Sequence, residues 1–448
     1  MASASKIRNG ASLLLVNVCR MLLATVFLVS GFVKAVDPKG FMYKLQEYAV
    51  VFKLDDTAVS EWLMPAALLL CAVEFVLGVM LLMGTSKRFS TVAALAVMLF
   101  FTPWTLVLAL WNPVQDCGCF GDAFSLSNWE TFIKNVVLLL LASYVWVKRS
   151  RIIRIISPRG SWVVTLFALL YIGAVEYCGV EHLPLMDFRP FAVGSDLNEA
   201  VREVPAEYEV LYRYEKNSEV VELRNEGAPD STWNYLGTRS DVVTEGVPAK
   251  VQDFWITKMS DGADVGEKLL ADSGYTCLLV IDRVESADDS RADKINDIYD
   301  YCVDNKIPFY ALTSSLDEDV ERWERETGAE YAFCSADNLL LKTMVRSNPG
   351  LLVLKGGVVV AKWNIKDAPE IYDEDVLPDT VPEAQKLPMF VQDAADNRNL
   401  YRLFSCLFMF VVPLMMIFLL DISTRHRGRK EEPTGNDDAE LQELIENN

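Results

Sequence analysis

Six long apolar runs divide the chain, at about 11–34, 62–84, 89–111, 129–148, 160–180 and 401–421. Each is close to the roughly 20 residues that a helix needs to cross a bilayer. The pattern changes after the fifth run. Between 205 and 260 it has period two, as in Tyr208-Glu209-Val210-Leu211-Tyr212-Arg213-Tyr214 and Glu219-Val220-Val221-Glu222-Leu223, with Asn217 and Gly227 as turn residues. This predicts a small, β-rich lead-in of hairpins. From 275 to 364 strand and helix patterns alternate. Strands are expected at Tyr275–Asp282, Pro308–Thr313, Glu330–Cys334, Leu351–Leu354 and Val358–Trp363. Helices are expected at Ser290–Lys306, Glu318–Thr327 and Asn338–Arg346, and Gly356-Gly357 marks a hairpin. The order βαβαβαββ implies a mixed sheet covered by helices.

The predicted fold class is thus an α-helical polytopic membrane bundle plus a soluble α/β domain with a β-rich lead-in. The segments are a four-helix transmembrane bundle at 1–148, a fifth transmembrane helix at 149–184, an external domain at 185–400, and a sixth transmembrane helix at 401–422. The α/β part occupies about 270–366. A linker rich in Pro, Asp and Glu follows, with Asp373-Glu374-Asp375, Pro378, Pro382 and Pro388. The tail at 423–448 turns from basic to acidic and reads as disordered, with at most a short helix at Leu441–Glu446.

Basic residues orient the runs. Lys6 and Arg8, Lys87 and Arg88, Lys148 to Arg159, and Arg425 to Lys430 fall at alternate ends, and the positive-inside rule places all four clusters in the cytoplasm. Both termini are then cytoplasmic, and the 35–61 loop, the loop around residue 117 and the 181–400 segment are external. In a bacterium this is an inner-membrane protein with a periplasmic domain, facing a compartment where thiols are held oxidised. The first run follows a basic stretch, but no small-residue cleavage site follows it, so it reads as a retained anchor.

Composition narrows the function. The net charge of −20 is concentrated in the soluble segment, which excludes a basic nucleic-acid surface. Only His182 and His426 are present, far apart, so no histidine-based metal site is expected. The partners expected are the lipid bilayer and a periplasmic protein. No phosphate-binding glycine loop, hydrolase nucleophile motif or internal repeat stands out.

The candidate chemistry lies in a short external loop, Asp116-Cys117-Gly118-Cys119-Phe120-Gly121-Asp122, just before a capping box at Ser127–Glu130. Cys117 and Cys119 flank one glycine, which permits the backbone that a Cys-Gly-Cys ring needs. No basic residue is nearby in the sequence, and the flanking carboxylates alone would raise the thiol pKa. Such a small ring should be strained, and strained disulfides exchange readily. The alternatives are a permanent structural disulfide or idle thiols. Cys178, near the outer end of the fifth run, stands at a similar level and is a candidate resolving thiol or a small apolar residue. Within the membrane, Arg20 and Glu74 come to similar depth when counted from the cytoplasmic ends, which suggests an ion pair. The alternative is that Arg20 snorkels and Glu74 is protonated. Pro103 should kink the third run.

These residues carry a resemblance. Ser30-Gly31-Phe32-Val33-Lys34-Ala35-Val36-Asp37-Pro38, the Glu74 helix ending in Gly84, and the Cys-Gly-Cys-Phe-Gly loop resemble the DoxX/MauE group of small four-helix membrane proteins, over about residues 11–148. The resemblance implies membrane redox chemistry: quinone-dependent sulfur oxidation for DoxX proteins, disulfide formation during maturation of a periplasmic dehydrogenase for MauE proteins. Lys34 and Glu74 fall in these motifs and, with Arg20 from the charge argument above, are the intramembrane residues of structural or functional weight; the resemblance makes a quinone the cofactor to consider. The bundle is also similar to that of vitamin K epoxide reductase, although here the cysteines are one residue apart rather than two. The 270–366 segment resembles the thioredoxin fold, with Pro349 at the position of that family's cis-proline. The thioredoxin Cys-x-x-Cys is missing. Its place holds Asp282-Arg283-Val284-Glu285-Ser286, and Cys277, Cys302 and Cys334 read as buried packing residues. Two functions remain open: a membrane thiol-disulfide or quinone-linked oxidoreductase, or a non-catalytic, membrane-anchored assembly protein that binds a partner through a redox-dead thioredoxin-like domain.

Overall fold

The computed structural model describes residues 2–54, 57–114, 117–124, 126–216, 219–224, 232–244, 246–372, 382–396 and 399–431. The chain forms two compact units, residues 1–188 with 397–448, and residues 189–396.

The first unit is helical: α1 Ala2–Val36, α2 Pro38–Val51, α3 Thr57–Met83, α4 Lys87–Trp111, α5 Asn128–Val147, α6 Ser161–Glu181, and a C-terminal helix Asn399–Glu431. Among the described residues, six of these helices contain stretches long and apolar enough to cross a membrane, all but α2. The chain is a multi-pass membrane protein. The sequence pattern treats 35–61 as a loop, yet α2 fills it. Asp37 caps this helix by accepting from Gly40 N at 2.9 Å, and Pro38 supplies a pre-set φ at its first position. The capping box at Ser127 and Glu130 opens α5 as expected. α4 stays helical through Pro103.

The backbones of α1 and α3 nearly touch. A Cβ at Gly31 would lie 2.5 Å from Phe75 N, and one at Gly78 would lie 2.7 Å from Leu28 N. Only hydrogen fits at these two crossings. The same register sets Arg20 against Gly84, because a Cβ there would lie 2.5 Å from Arg20 Nη1. Arg20 is therefore not paired with Glu74. Counting depth from residue 11 assumed that both helices begin at one level, whereas α1 extends well beyond the end of α3. Arg20 is 1% exposed and donates from Nη1 to Ile153 O at 2.8 Å, which ties α1 to the segment before α6.

The C-terminal helix packs on α6. Tyr171 donates to Cys406 O at 2.9 Å, and Phe410 meets the rings of Phe75, Phe167 and Tyr171. Asp421 accepts from Ser157 N at 3.0 Å and from the Ser157 hydroxyl. The helix runs on to Glu431, past the start of the expected disordered tail at 423. His426 lies on it, and Leu441–Glu446 lies outside the described residues.

The second unit holds two sheets. Strands β1 Glu207–Lys216, β2 Glu219–Leu223 and β3 Asn234–Thr244 pair antiparallel in the order β2-β1-β3. This is the predicted lead-in; its turn residues Asn217 and Gly227 lie outside the described residues. The larger sheet has the order β4-β7-β6-β5-β8-β9, with β4 Ile256–Lys258, β5 Tyr275–Ile281, β6 Phe309–Thr313, β7 Ala332–Ala336, β8 Gly350–Lys355 and β9 Val358–Asn364. β5, β6 and β7 are parallel, and β8 and β9 return antiparallel. Ala292–Asp304, Asp317–Thr327 and Asn338–Met344 are the connecting helices. Strands and helices fall in the order read from the sequence, and the Asn348–Pro349 peptide is cis.

The expected linker contains a helix, Glu383–Asp396. Leu387 and Val391, four residues apart, enter the core beside Tyr301, whose hydroxyl donates to Glu383 O at 2.7 Å and accepts from Leu387 N at 3.3 Å. Asp373, Glu374, Asp375 and Pro378 lie outside the described residues.

Candidate functional site: the Cys-Gly-Cys loop and the cavity behind it

Gly118 has φ +66°, and a Cβ there would lie 2.7 Å from Lys44 Cγ, so the residue between the cysteines needs both the left-handed backbone and the space that glycine gives. The turn sets Cys117 Sγ and Cys119 Sγ 2.8 Å apart as free thiols in hydrogen-bond contact. Two side chains hold the loop by its carbonyls. Tyr48 on α2 donates to Cys117 O at 2.9 Å, and Ser30 on α1 donates to Cys119 O at 2.8 Å. Asn128 at the start of α5 donates to Val114 O at 2.8 Å and Asn112 Oδ1 at 2.7 Å, which fixes the loop's entrance to α5.

Beneath the loop lies a cavity of about 400 Å³. Its walls are apolar and aromatic, with Phe27, Phe41, Tyr48, Phe101 and Trp104 among them; Trp104 meets the Tyr48 ring edge-on at 5.8 Å between centroids. Cys117, Gly118 and Cys119 form part of the lining, together with Ser30, Lys34, Glu74, Lys134 and Asn135. Lys34 and Glu74 make an ion pair of 2.6 Å, with the two side chains 4% and 12% exposed. Ser30 also lies 2.9 Å from Glu74 Oε2, so one hydroxyl touches both the pair and the Cys119 carbonyl. Lys34 Nζ sits 4.9 Å from the Phe41 ring centre, and Lys134 Nζ sits 4.4 Å from that of Phe120.

These cations change the thiol chemistry expected from the sequence. The hydrogen bond from Cys117, then the charges of Lys134 and Lys34, bring Cys119 down to about 7 against the opposing effect of burial. The same hydrogen bond, and then burial, push Cys117 up. The pair therefore loses its first proton from Cys119, and the resulting thiolate is held by the Cys117 thiol. Sequence reading found no base near the cysteines because Lys34 and Lys134 arrive from α1 and α5. A visible signal was that Lys34 shares an apolar run with Ser30 and that Lys134 lies one and a half turns into α5. Asp116 lies outside the described residues, and Asp122 is exposed.

Cys178 is not part of this cluster. It is half-buried near the end of α6, does not line the cavity, and has Cys406 as a neighbour. In the soluble unit, a hydrogen bond with Cys302 and burial hold Cys277 well above its usual range, and burial pushes Cys334 up to about 11. The 282–286 turn is held without sulfur. Val284 N donates to Ser315 Oγ at 3.0 Å, Ser315 Oγ donates to Glu285 Oε2 at 2.6 Å, and Asn348 donates to Arg283 O at 2.8 Å. Pro349 stands beside that turn in sequence contact with Asn348. Among the described residues no group of His, Cys, Asp and Glu is placed to hold a metal ion.

Residues 12–148 match the family model described as methylamine utilisation protein MauE. That stretch carries α1 to α5 with the Cys-Gly-Cys loop and the cavity, so this part of the chain is similar to that family. No curated protein and no solved structure matches the chain.

Proposed function

We propose that the protein is a membrane thiol-disulfide oxidoreductase whose working group is the Cys117–Cys119 pair. The observation that carries this reading is one arrangement: two adjacent thiols, one of them with a pKa near neutrality, form part of the wall of an apolar cavity that also holds two lysines. Cys119, as thiolate at neutral pH, is the nucleophile. Cys117 keeps its proton and closes the disulfide or resolves a mixed one. The loop exchanges with the thiols of an external protein, which the soluble unit recruits. The match to a methylamine utilisation protein is consistent with a role in maturing a secreted enzyme.

The cavity suits a quinone. Its aromatic walls can flank a flat ring, and Lys34 and Lys134 can donate to the two carbonyl oxygens. A quinone bound there would supply a two-electron acceptor for the dithiol. The basic clusters favour cytoplasmic termini with the loop and the soluble unit external, in the inner membrane of a bacterium. The soluble unit's strand order supports a thioredoxin-like module. Its buried thiols support a binding role for that module rather than a redox one.

The test is reoxidation. Protein reduced with dithiothreitol, freed of it and placed in lipid nanodiscs is mixed with decylubiquinone, and free thiols are counted by mass. The reading expects loss of two thiols, mapped to Cys117 and Cys119. Retention of both, in protein that diamide oxidises, would remove the quinone from the account. Retention with both oxidants would remove the redox function.

A further inference from the structure

The Lys34–Glu74 pair is buried in the membrane unit, where an ion pair is retained only if it does something that apolar residues cannot. It does not tie helices across a gap, since α1 and α3 already touch at Gly31 and Gly78. It lines the cavity, and Ser30 links Glu74 to the Cys119 carbonyl. The titratable groups around it are Cys71 of α3 and Cys119 of the loop, with Tyr48 of α2 and Lys134 of α5 lining the same cavity. Beyond Cys71 lies Glu176 of α6, buried, with Oε1 lacking a partner among the described residues.

We infer that the Lys34–Glu74 pair is the proton carrier of the site, passing protons between the cysteine thiols and the oxygens of an acceptor in the cavity. The inference rests on the redox reading above. Closing the disulfide forms one S–S bond, breaks two S–H bonds, and releases two electrons and two protons. A quinone held in the cavity would take the electrons, and its two oxygens would take the two protons. Cys117 gives up its proton as the ring closes; Cys119, as thiolate, has already lost its own to the solvent, so the second proton enters from solvent through the same pair. The Lys34–Glu74 pair stands at the cavity wall and can both take and give a proton, so it can hold each one in transit. Glu74 can take a proton first, which removes the charge that holds the proton on Lys34 Nζ; Lys34 can then give its proton toward the cavity, and the proton on Glu74 passes to Lys34 to restore the pair.

Charge alone and proton transfer are separated by Lys34→Arg. Arginine keeps the positive charge but does not give up a proton in proteins. The full-length variant is reduced in nanodiscs and compared with the wild type in three measurements: the pH profile of Cys119 alkylation by iodoacetamide, oxidation by diamide, and oxidation by decylubiquinone. The expected result is a decylubiquinone rate at saturating quinone lowered roughly 100-fold, with the KM for decylubiquinone, the alkylation midpoint and the diamide rate changed far less. A loss confined to KM would overturn the inference by making Lys34 a quinone-binding group only. Glu74→Gln should also slow decylubiquinone and spare diamide, with partial rescue by added azide or formate as a small weak acid. A wild-type rate with decylubiquinone in Lys34→Arg would overturn the inference. An equal loss with both oxidants in both variants would overturn it too, by making the pair structural. Failure of the wild type itself to react with decylubiquinone would instead overturn the quinone reading, and this inference with it.

Discussion

Lys134 Nζ lies 4.4 Å from the centre of the Phe120 ring, and so the charge of α5 is brought to the residue that follows Cys119. This contact connects a helix face to the reactivity of a loop. Cys119 is brought to about 7 from an ordinary thiol value by Cys117 and then by Lys134 and Lys34. The sign follows directly: below pH 7 the sulfur is protonated and slow, and above it the thiolate dominates. The rate of Cys119 alkylation should rise through a midpoint near 7. In Lys134→Met the midpoint should move up, and the rate at pH 7 should fall roughly threefold or more. Mass-resolved iodoacetamide labelling against pH checks both.

The close crossing of α1 and α3 predicts a packing defect that also reaches the site. In Gly31→Val the new Cβ would lie 2.5 Å from Phe75 N, so the helices must part. The expected destabilisation is about 1–3 kcal/mol. Thermal unfolding in detergent measures it. Because Lys34 is one turn beyond Gly31, Cys119 labelling in this variant should also shift toward higher pH.

Much of this architecture is legible in the sequence, and what is not has identifiable causes. The apolar runs mark the six spans because lipid leaves a helix no other way to satisfy its backbone. The period-two and alternating patterns mark the sheets because successive side chains on a strand face opposite sides. Helix α2 was hidden because its amphipathic stretch is short and follows Asp37-Pro38, which reads as a turn until the cap is seen. Helix Glu383–Asp396 was hidden by Pro388 and its acidic surroundings, although Leu387 and Val391 have helical spacing. The loop chemistry could be located from Cys117, Gly118 and Cys119, but its sign could not. Lys34, Lys134 and Glu74 reach the loop through packing of α1, α3 and α5, and no local pattern gives that register. The placing of Arg20 against Gly84 instead of Glu74 depends on the same packing register.

The soluble unit should carry no disulfide chemistry of its own. Cys277, Cys302 and Cys334 are buried, and none stands at the 282–286 turn. The full chain with Cys117→Ser and Cys119→Ser should show no turnover of an insulin-type disulfide. The three cysteines should resist maleimide until denaturant is added. Turnover by the double variant would assign a redox role to this unit.

The orientation is tested by fusion. Alkaline phosphatase joined within the soluble unit should be active, and joined after Lys87 it should be inactive. The reverse result would invert the topology and place the cysteine loop on the reducing side.

The central claim is that Cys117 and Cys119 cycle together between dithiol and disulfide. It is tested most directly in cells, by acid quenching followed by maleimide mass-tagging with and without prior reduction, in wild-type protein and in Cys178→Ser. The account predicts a population in which Cys117 and Cys119 gain tags together, only after reduction, in both proteins, and which shrinks when cells are treated with dithiothreitol and recovers when it is removed. Cys117 and Cys119 fully tagged without reduction under all conditions, or either one bonded permanently to Cys178, would contradict it.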